Sequence, residues 1–206
     1  MFKNRLDAAE KLGGALDGYR KQHALVLGIP RGAVPMARHI ARQLEAEVDV
    51  VLVRKLRSPY NAELALGAVD ETGWTYVSDY AARYGGTPEY LEQEKARQLE
   101  VMQQRRRQYT PIRPPIDPVG RIVIVVDDGL ATGSTMIAAL HALRARSPAR
   151  LICAVPVAPP DTVEKVGAYC DDMVCLEAPW NFQAVGQFYQ DFPQVSDAEV
   201  VAALAG

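Results

Sequence analysis

The sequence predicts an α/β domain built as a doubly wound, mainly parallel sheet. Short apolar runs alternate with stretches of helical spacing along most of the chain. Those runs are near-continuous, as expected of strands covered on both faces. Tight loops of small residues join them to the helices that follow, the order of repeated strand–helix–strand units. A chain of 206 residues suits one domain with an insertion. It can bury roughly 70% of its unfolded surface, so it needs neither disulfide nor metal to fold.

Residues 5 to 21 read as a helix with Leu6, Ala9, Leu12 and Leu16 on one face. "HALVLGI" (His23 to Ile29) is a strand, and "PRGAVP" after it is a tight loop. Helical spacing returns from Met36 to Ala46, followed by a second strand, Val48 to Val53, closed by Arg54 and Lys55. "LALGAVD" and "WTYVSD" are two short strands around the turn "ETG". A long polar helix runs from Pro88 to Tyr109, and "TPIRPPIDPVG" breaks it with four prolines. The rhythm then resumes with a strand (Arg121 to Val126), a helix (Ser134 to Arg146), a strand (Arg150 to Val157), a helix (Pro160 to Tyr169) and a strand (Met173 to Leu176). An aromatic tail follows, and a last helix starts near Ser196. The expected organisation is a single domain over 1–206, with an insertion at about 59–118 and a C-terminal aromatic cap, or hood, at about 177–206.

An apolar fraction of 49% is ordinary for a globular chain. A net charge of −2 gives no basis for bulk binding to nucleic acid or a membrane surface. Cys153, Cys170 and Cys175 fit reduced thiols better than a disulfide framework. The N-terminal stretch reads as an amphipathic helix rather than a signal peptide, and no run approaches the ~20 apolar residues of a membrane span. The expectation is a cytoplasmic protein.

"VIVVDDGLATGST" (Val123 to Thr135) concentrates the chemistry. Asp127 and Asp128 close an apolar strand, and in open α/β sheets ligands bind beyond the carboxyl ends of strands. Ala131, Thr132, Gly133, Ser134 and Thr135 then wrap into a helix N-terminus, where free N–H groups and hydroxyls form an anion site. The acceptors suit sugar hydroxyls or a hydrated Mg²⁺, and the donors suit a phosphate. A ribose 5-phosphate has that polarity. There is no GxxxxGK[ST], and no GxGxxG follows either early strand. The plainer reading is an Asp turn followed by a Ser N-cap.

"VVDDGLATGST" resembles the phosphoribosyl pyrophosphate (PRPP) binding motif of type I phosphoribosyltransferases. Gly129 stands where that motif often carries an apolar residue. The resemblance implies that Asp127 and Asp128 hold the ribose 2′- and 3′-hydroxyls and that Ala131 to Thr135 cradle the 5-phosphate. "GIPRGAVP" (Gly28 to Pro35) is similar to the family's pyrophosphate loop, with Arg31 and Gly32 as its contacts and Ala33 where a second glycine is frequent. Family loops of this kind often carry a non-prolyl cis peptide, which here would fall beside Arg31. By the same resemblance, Arg54 and Lys55 contact pyrophosphate, and Arg105, Arg106 and Arg107 are candidate cations of a catalytic loop. The helix bearing those three is longer than the family's usual mobile loop, and a solvated face, an acceptor pocket or a dimer contact are alternatives for it. Trp180, Phe182, Phe188 and Tyr189 are candidate hood residues, with Trp180 and Phe182 placed to stack on a planar acceptor. "VLVRK" with "N.E.ALGAV" and the tail "F.AVG..Y.DF" also resemble a subgroup of predicted phosphoribosyltransferases with no assigned acceptor.

The expected activity is Mg²⁺-dependent transfer of the 5-phosphoribosyl group from PRPP to a nucleophile such as a nucleobase, releasing pyrophosphate. Asp127, Asp128, Arg31 and Lys55 are the expected catalytic residues, and Mg²⁺ is held mainly by PRPP. A homodimer is expected, with small-molecule partners and no membrane or nucleic acid. Two alternatives share the sequence features: a PRPP-sensing regulator with little catalysis, and a carboxylate–Mg²⁺ phosphohydrolase.

Overall fold

The computed structural model describes residues 1–109, 111 and 115–205. In chain order the elements are α1 (Arg5–Ala15), β1 (Leu25–Gly28), α2 (Ala33–Leu44), β2 (Glu47–Val50), β3 (Val53–Arg57), β4 (Ala65–Asp70), β5 (Thr75–Val77), α3 (Pro88–Tyr109), β6 (Ile122–Val126), α4 (Ser134–Arg144), β7 (Arg150–Val157), α5 (Pro160–Gly167), β8 (Asp172–Glu177) and α6 (Asp197–Ala205). Among the described residues they form a five-stranded sheet of order β2-β1-β6-β7-β8 and a three-stranded sheet of order β3-β4-β5. The larger sheet is parallel throughout, as its unbroken apolar runs require.

Strand alternation divides the core between the two faces of the large sheet. Val26, Ile124, Val126, Ile152 and Ala154 pack against α1 and α2. Leu25, Leu27, Val123, Val125, Leu151 and Cys153 face α4 on the other side. A third cluster joins Val34, Leu52, Leu56, Met102, Tyr109 and Leu204, tying α2 and α3 to the small sheet and α6. Among the described residues no helix is long and apolar enough to cross a membrane.

Most expected elements lie within two residues of their observed bounds. Three differ. The first helix stops at Ala15 and a 3-10 turn occupies Asp17–Tyr19, because Gly13, Gly14 and Gly18 weaken helix propagation. Its buried face also differs: Ala8, Ala9, Leu12 and Leu16 are buried, whereas Leu6 is 51% exposed. The second helix starts at Ala33 rather than Met36, since Pro35 falls in its first turn, where proline is tolerated.

The largest difference concerns the run Val48 to Val53. It serves two sheets. Val50 ends β2, Val51 donates a last bond to the Gly28 carbonyl at 3.2 Å, and Val53 begins antiparallel β3. Arg54 and Lys55 therefore lie within β3 rather than at the end of the second parallel strand. The pair "LALGAVD" and "WTYVSD" does form two antiparallel strands. Of the four prolines expected to end α3, the one at 114 lies outside the described residues, as do 110, 112 and 113 of the expected insertion and 206 of the expected cap.

Two glycines test this packing in opposite directions. A Cβ on Gly67, in the middle of β4, would lie 2.0 Å from the Tyr76 carbonyl oxygen of β5. Gly67→Ala should lower stability by about 1–3 kcal/mol, read as a fall in Tm of about 2–4 °C per kcal/mol. Gly14 sits exposed in α1 with nothing within 4 Å of such a Cβ. Gly14→Ala should raise stability by about 0.5–1 kcal/mol. Thermal melts of the two variants should move apart, and a shared direction would contradict the packing described.

Candidate active site

The crevice lies where the sheet changes direction. β1 leads through α2 outward to β2, whereas β6 leads through α4 the other way to β7. Their carboxyl ends stay side by side, with Gly28 opposite Val126 and the Ile29 N–H donating to the Val126 carbonyl at 3.1 Å. The loops that follow must diverge there, which opens the space ligands use in such folds. A Cβ on Gly28 would lie 2.9 Å from both the Ala33 carbonyl oxygen and the Val34 Cα, so only glycine admits this turn. The Pro30–Arg31 peptide is cis, beside Arg31 as the family resemblance implied.

Asp127 and Asp128 follow β6 directly. The Asp128 N–H donates to Asp127 Oδ1 at 2.8 Å. Asp128 Oδ2 accepts from Arg5 Nε at 2.9 Å, in a pair whose side chains are 13% and 18% exposed. The Asp128 carbonyl accepts from the Tyr189 hydroxyl at 2.6 Å. A Cβ on Gly32 would stand 2.5 Å from Asp128 Oδ2, so the first loop touches the carboxylate pair. Burial and the neighbouring Asp128 charge hold the Asp127 carboxyl well above the ordinary carboxylate range, with Lys55 and Arg5 opposing. Burial raises Asp128 as well, against the pull of Arg5.

The Ala131–Thr135 loop closes over this point. Gly133 has φ +80 and precedes α4. A Cβ there would meet Val166 Cγ2 at 2.6 Å. Thr162 Oγ1 donates to the Ala131 carbonyl at 2.7 Å, and Lys165 Nζ donates to the Thr132 carbonyl at 3.3 Å, so α5 braces the loop. The Thr135 hydroxyl oxygen is buried with no partner among the described residues, a polar group awaiting one. A cleft of about 150 Å³ brings Asp127 and the whole loop together with Lys55 and Glu63.

The cations separate. Successive strand residues point to opposite faces, so Arg54 and Lys55 do not share one crevice, as a joint contact with pyrophosphate would require. Lys55 lines the Asp127 cleft. Arg54 turns to α3, where its Nε donates to Gln98 Oε1 at 2.9 Å and Gln98 Nε2 donates to buried Glu94 at 2.9 Å. Burial, then the charges of Arg105, Arg57 and Arg31, pull the Arg54 guanidinium below its ordinary value. Arg31 and Arg105 thus share its field. Of the three helix arginines, Arg105 faces this cluster, Arg106 pairs with Glu71, and Arg107 is exposed.

The tail packs as an aromatic strap. Phe182 stacks on Phe188 and Tyr189 on Phe192, with ring centroids 5.3 and 4.7 Å apart. Trp180 is 90% exposed. With Phe182, Tyr80 and Lys165 it lines a cavity of about 630 Å³ that reaches Ala131 and Thr132. Arg5, Phe192, Tyr80, Lys165 and the Glu94–Gln98 relay are given no role by the sequence reading. Of these, only Arg5 left a signal: it falls in register with Ala9, Leu12 and Leu16, a charge on the buried stripe of α1.

Residues 3–191 match the model of the phosphoribosyl transferase domain. The chain belongs to that family. Proteins of two Mycobacterium tuberculosis strains, named as candidate phosphoribosyl transferases, are 41% identical over 207 residues, covering 99% of this chain. The match takes in 46% of their length, so the chain spans about half of these curated relatives. The crystal structure of TT1426 from Thermus thermophilus is 45% identical, with a TM-score of 0.82, covering 99% of this chain and 97% of that one. The phosphoribosyl transferase fold seen here is thus similar, over nearly its whole length, to that of a solved relative.

The carboxylate pair sets a pH signature. The folded state binds the Asp127 proton more tightly than the unfolded chain, so stability falls as pH rises above the unfolded value of about 3.9. Asp127→Asn removes that penalty while keeping an acceptor for the Asp128 N–H. It should raise Tm at about pH 7.5, by about 2–4 °C per kcal/mol relieved. The gain should shrink to nothing as the pH approaches about 4. Melts of both proteins across that range measure it, and a pH-independent difference would contradict the assignment.

Proposed function

We propose that the phosphoribosyl transferase domain moves the 5-phosphoribosyl group of PRPP to a planar nitrogen nucleophile such as a nucleobase. The observation that carries this reading is the joining, in one cleft, of the Asp127 carboxylate to the Ala131–Thr135 loop with its orphaned Thr135 hydroxyl. Acceptors at one end suit ribose hydroxyls, and donors at the other suit a 5-phosphate.

In the proposed reaction the bond from C1 to pyrophosphate breaks as a bond from C1 to the acceptor nitrogen forms. The electron pair leaves with pyrophosphate, and the acceptor's proton passes to solvent. Positive charge develops on the ribose, where Asp127 and Asp128 stabilise it and orient the hydroxyls. Negative charge develops on the leaving group, where Arg31, the Gly32 backbone and Lys55 receive it. Arg31 and Arg105 act on Arg54 with like charge, which Glu94 partly offsets. Among the described residues no three His, Cys, Asp or Glu side chains gather as a metal cage. The donor set fits a hard cation carried mainly by substrate oxygens, and Mg²⁺ held in that way supplies charge neutralisation of the diphosphate. The cavity lined by Trp180, Phe182 and Tyr80 supports an aromatic acceptor.

The direct test is pyrophosphate release from PRPP and Mg²⁺ across a panel of bases and base-like acids. Release with at least one acceptor is expected, and none with any acceptor would point to a sensor. Asp127→Asn with Asp128→Asn should abolish release, each lost charge-assisted bond costing about 1.5–3 kcal/mol. Arg31→Ala should weaken PRPP far more than ribose 5-phosphate, and equal loss for both would place Arg31 elsewhere in the pocket.

The acceptor side has its own test. Trp180→Ala removes a face worth about 1–3 kcal/mol when stacked on a base. It should raise KM for the acceptor and leave PRPP affinity and Tm unchanged, because Trp180 is 90% exposed. Unchanged acceptor kinetics would remove Trp180 from the site.

A further inference from the structure

Arg5 opens α1, outside every motif, yet its side chain reaches the Asp128 carboxylate. Its Nε donates to Asp128 Oδ2 at 2.9 Å. Its Nη1 donates to the Pro193 carbonyl. Its guanidinium carbon lies 3.9 Å from the centroid of the Phe192 ring. A Cβ on Gly32 would stand 3.0 Å from Nε and 3.1 Å from Nη2, so the first loop presses on the same group. Four segments thus converge on one guanidinium: α1, the Gly32 loop, the Asp128 turn and the C-terminal strap.

The strap itself is held by the chain ahead of α1. The Phe2 N–H donates to the Phe188 carbonyl, and the N–H groups of Gln190 and Asp191 donate to the carbonyls of Phe2 and Lys3. Phe2 packs on Tyr189, whose hydroxyl donates to the Asp128 carbonyl. Arg5 is consequently fixed by both termini before it reaches Asp128. An arginine with a stacked face and two directed hydrogen bonds has lost most of its side-chain freedom, so the carboxylate it grips is aimed as well.

We infer that Arg5 is a positioning residue for the ribose site: it turns and fixes the Asp128 carboxylate, and through Phe192 and Pro193 it makes the C-terminal strap part of that site. This rests on the reading that Asp128 binds ribose hydroxyls. Arg5 does not itself hold the substrate. Its role is to commit one carboxylate oxygen to protein, so that the orientation of the carboxylate is set before the sugar arrives. That preorganisation favours binding by removing an ordering cost.

The test is calorimetry of the full chain with ribose 5-phosphate and with inorganic pyrophosphate, on the wild type, Arg5→Gln, Asp128→Asn and the double variant. Arg5→Gln should weaken ribose 5-phosphate about tenfold while pyrophosphate affinity stays within about twofold. The double variant should bind no more weakly than Asp128→Asn alone, because Arg5 acts through that carboxylate. Phe192→Leu loosens the guanidinium without touching α1 and should weaken ribose 5-phosphate about two- to fivefold. This variant carries the test if Arg5→Gln does not fold. Losses that add in the double variant, or equal losses for the two ligands, would overturn the proposal. Loss confined to pyrophosphate would make Arg5 an anion ligand and overturn it too. If Asp128→Asn weakens ribose 5-phosphate but Arg5→Gln and Phe192→Leu do not, the positioning role alone fails. If Asp128→Asn has no effect, the ribose reading itself fails, and this inference with it.

Discussion

The parallel pairing of β1 with β6 is the constraint on which the site depends. Gly28 and Val126 end side by side, and their loops turn in opposite directions to reach helices on opposite faces. Two loops separated by about a hundred residues of chain are thereby held close enough for Gly32 to touch the Asp128 carboxylate. Neither loop makes a site alone. The first has a cation and no acceptors, and the second has acceptors and phosphate-type donors. Backbone ladder bonds deep in an apolar sheet fix their separation, and such regions are the last to open.

That closeness has an electrostatic cost. Burial at the floor of a crevice raises the proton affinity of both carboxylates, and the Asp128 charge raises that of Asp127 further. The protein answers with cations from outside the motif, Arg5 from α1 and Lys55 from β3. Against α3, Arg54 sits half-buried among Arg31, Arg57 and Arg105, with Glu94 reaching it through Gln98. The carboxylate pair and the arginine cluster thus each carry charge that burial disfavours and that nearby opposite charge only partly offsets. Groups shifted in this way gather at functional sites.

The long α3 is polar in sequence and carries a triple arginine, which by itself reads as a solvated face. The fold gives the three residues different surroundings. Arg105 acts on Arg54 with like charge, Arg106 is neutralised by Glu71, and Arg107 remains in solvent. A helix turns about 100° per residue, so adjacent side chains cannot share a partner surface. Neighbours on a strand separate even more completely, which sends Lys55 to the cleft and Arg54 to the helix.

The sequence by itself determined the alternating elements, the parallel sheet, and the two loops with Asp127, Asp128, Ala131 to Thr135, Arg31 and Gly32. These are local properties: apolar runs define strands, and a carboxylate pair before a small-residue loop marks a strand end and a helix start within one short stretch. What only the tertiary structure decided are the groups that arrive from a distance. Val48 to Val53 reads as one strand because nothing local shows where a chain leaves one sheet for another. Arg5 takes no role from the sequence because only the strap, nearly two hundred residues later, makes its position on the buried stripe of α1 tolerable. Phe192 and Pro193 supply that partner, and no spacing rule connects positions so far apart. Local patterning thus specified the two loops, whereas the field in which they sit was set by packing across the whole chain.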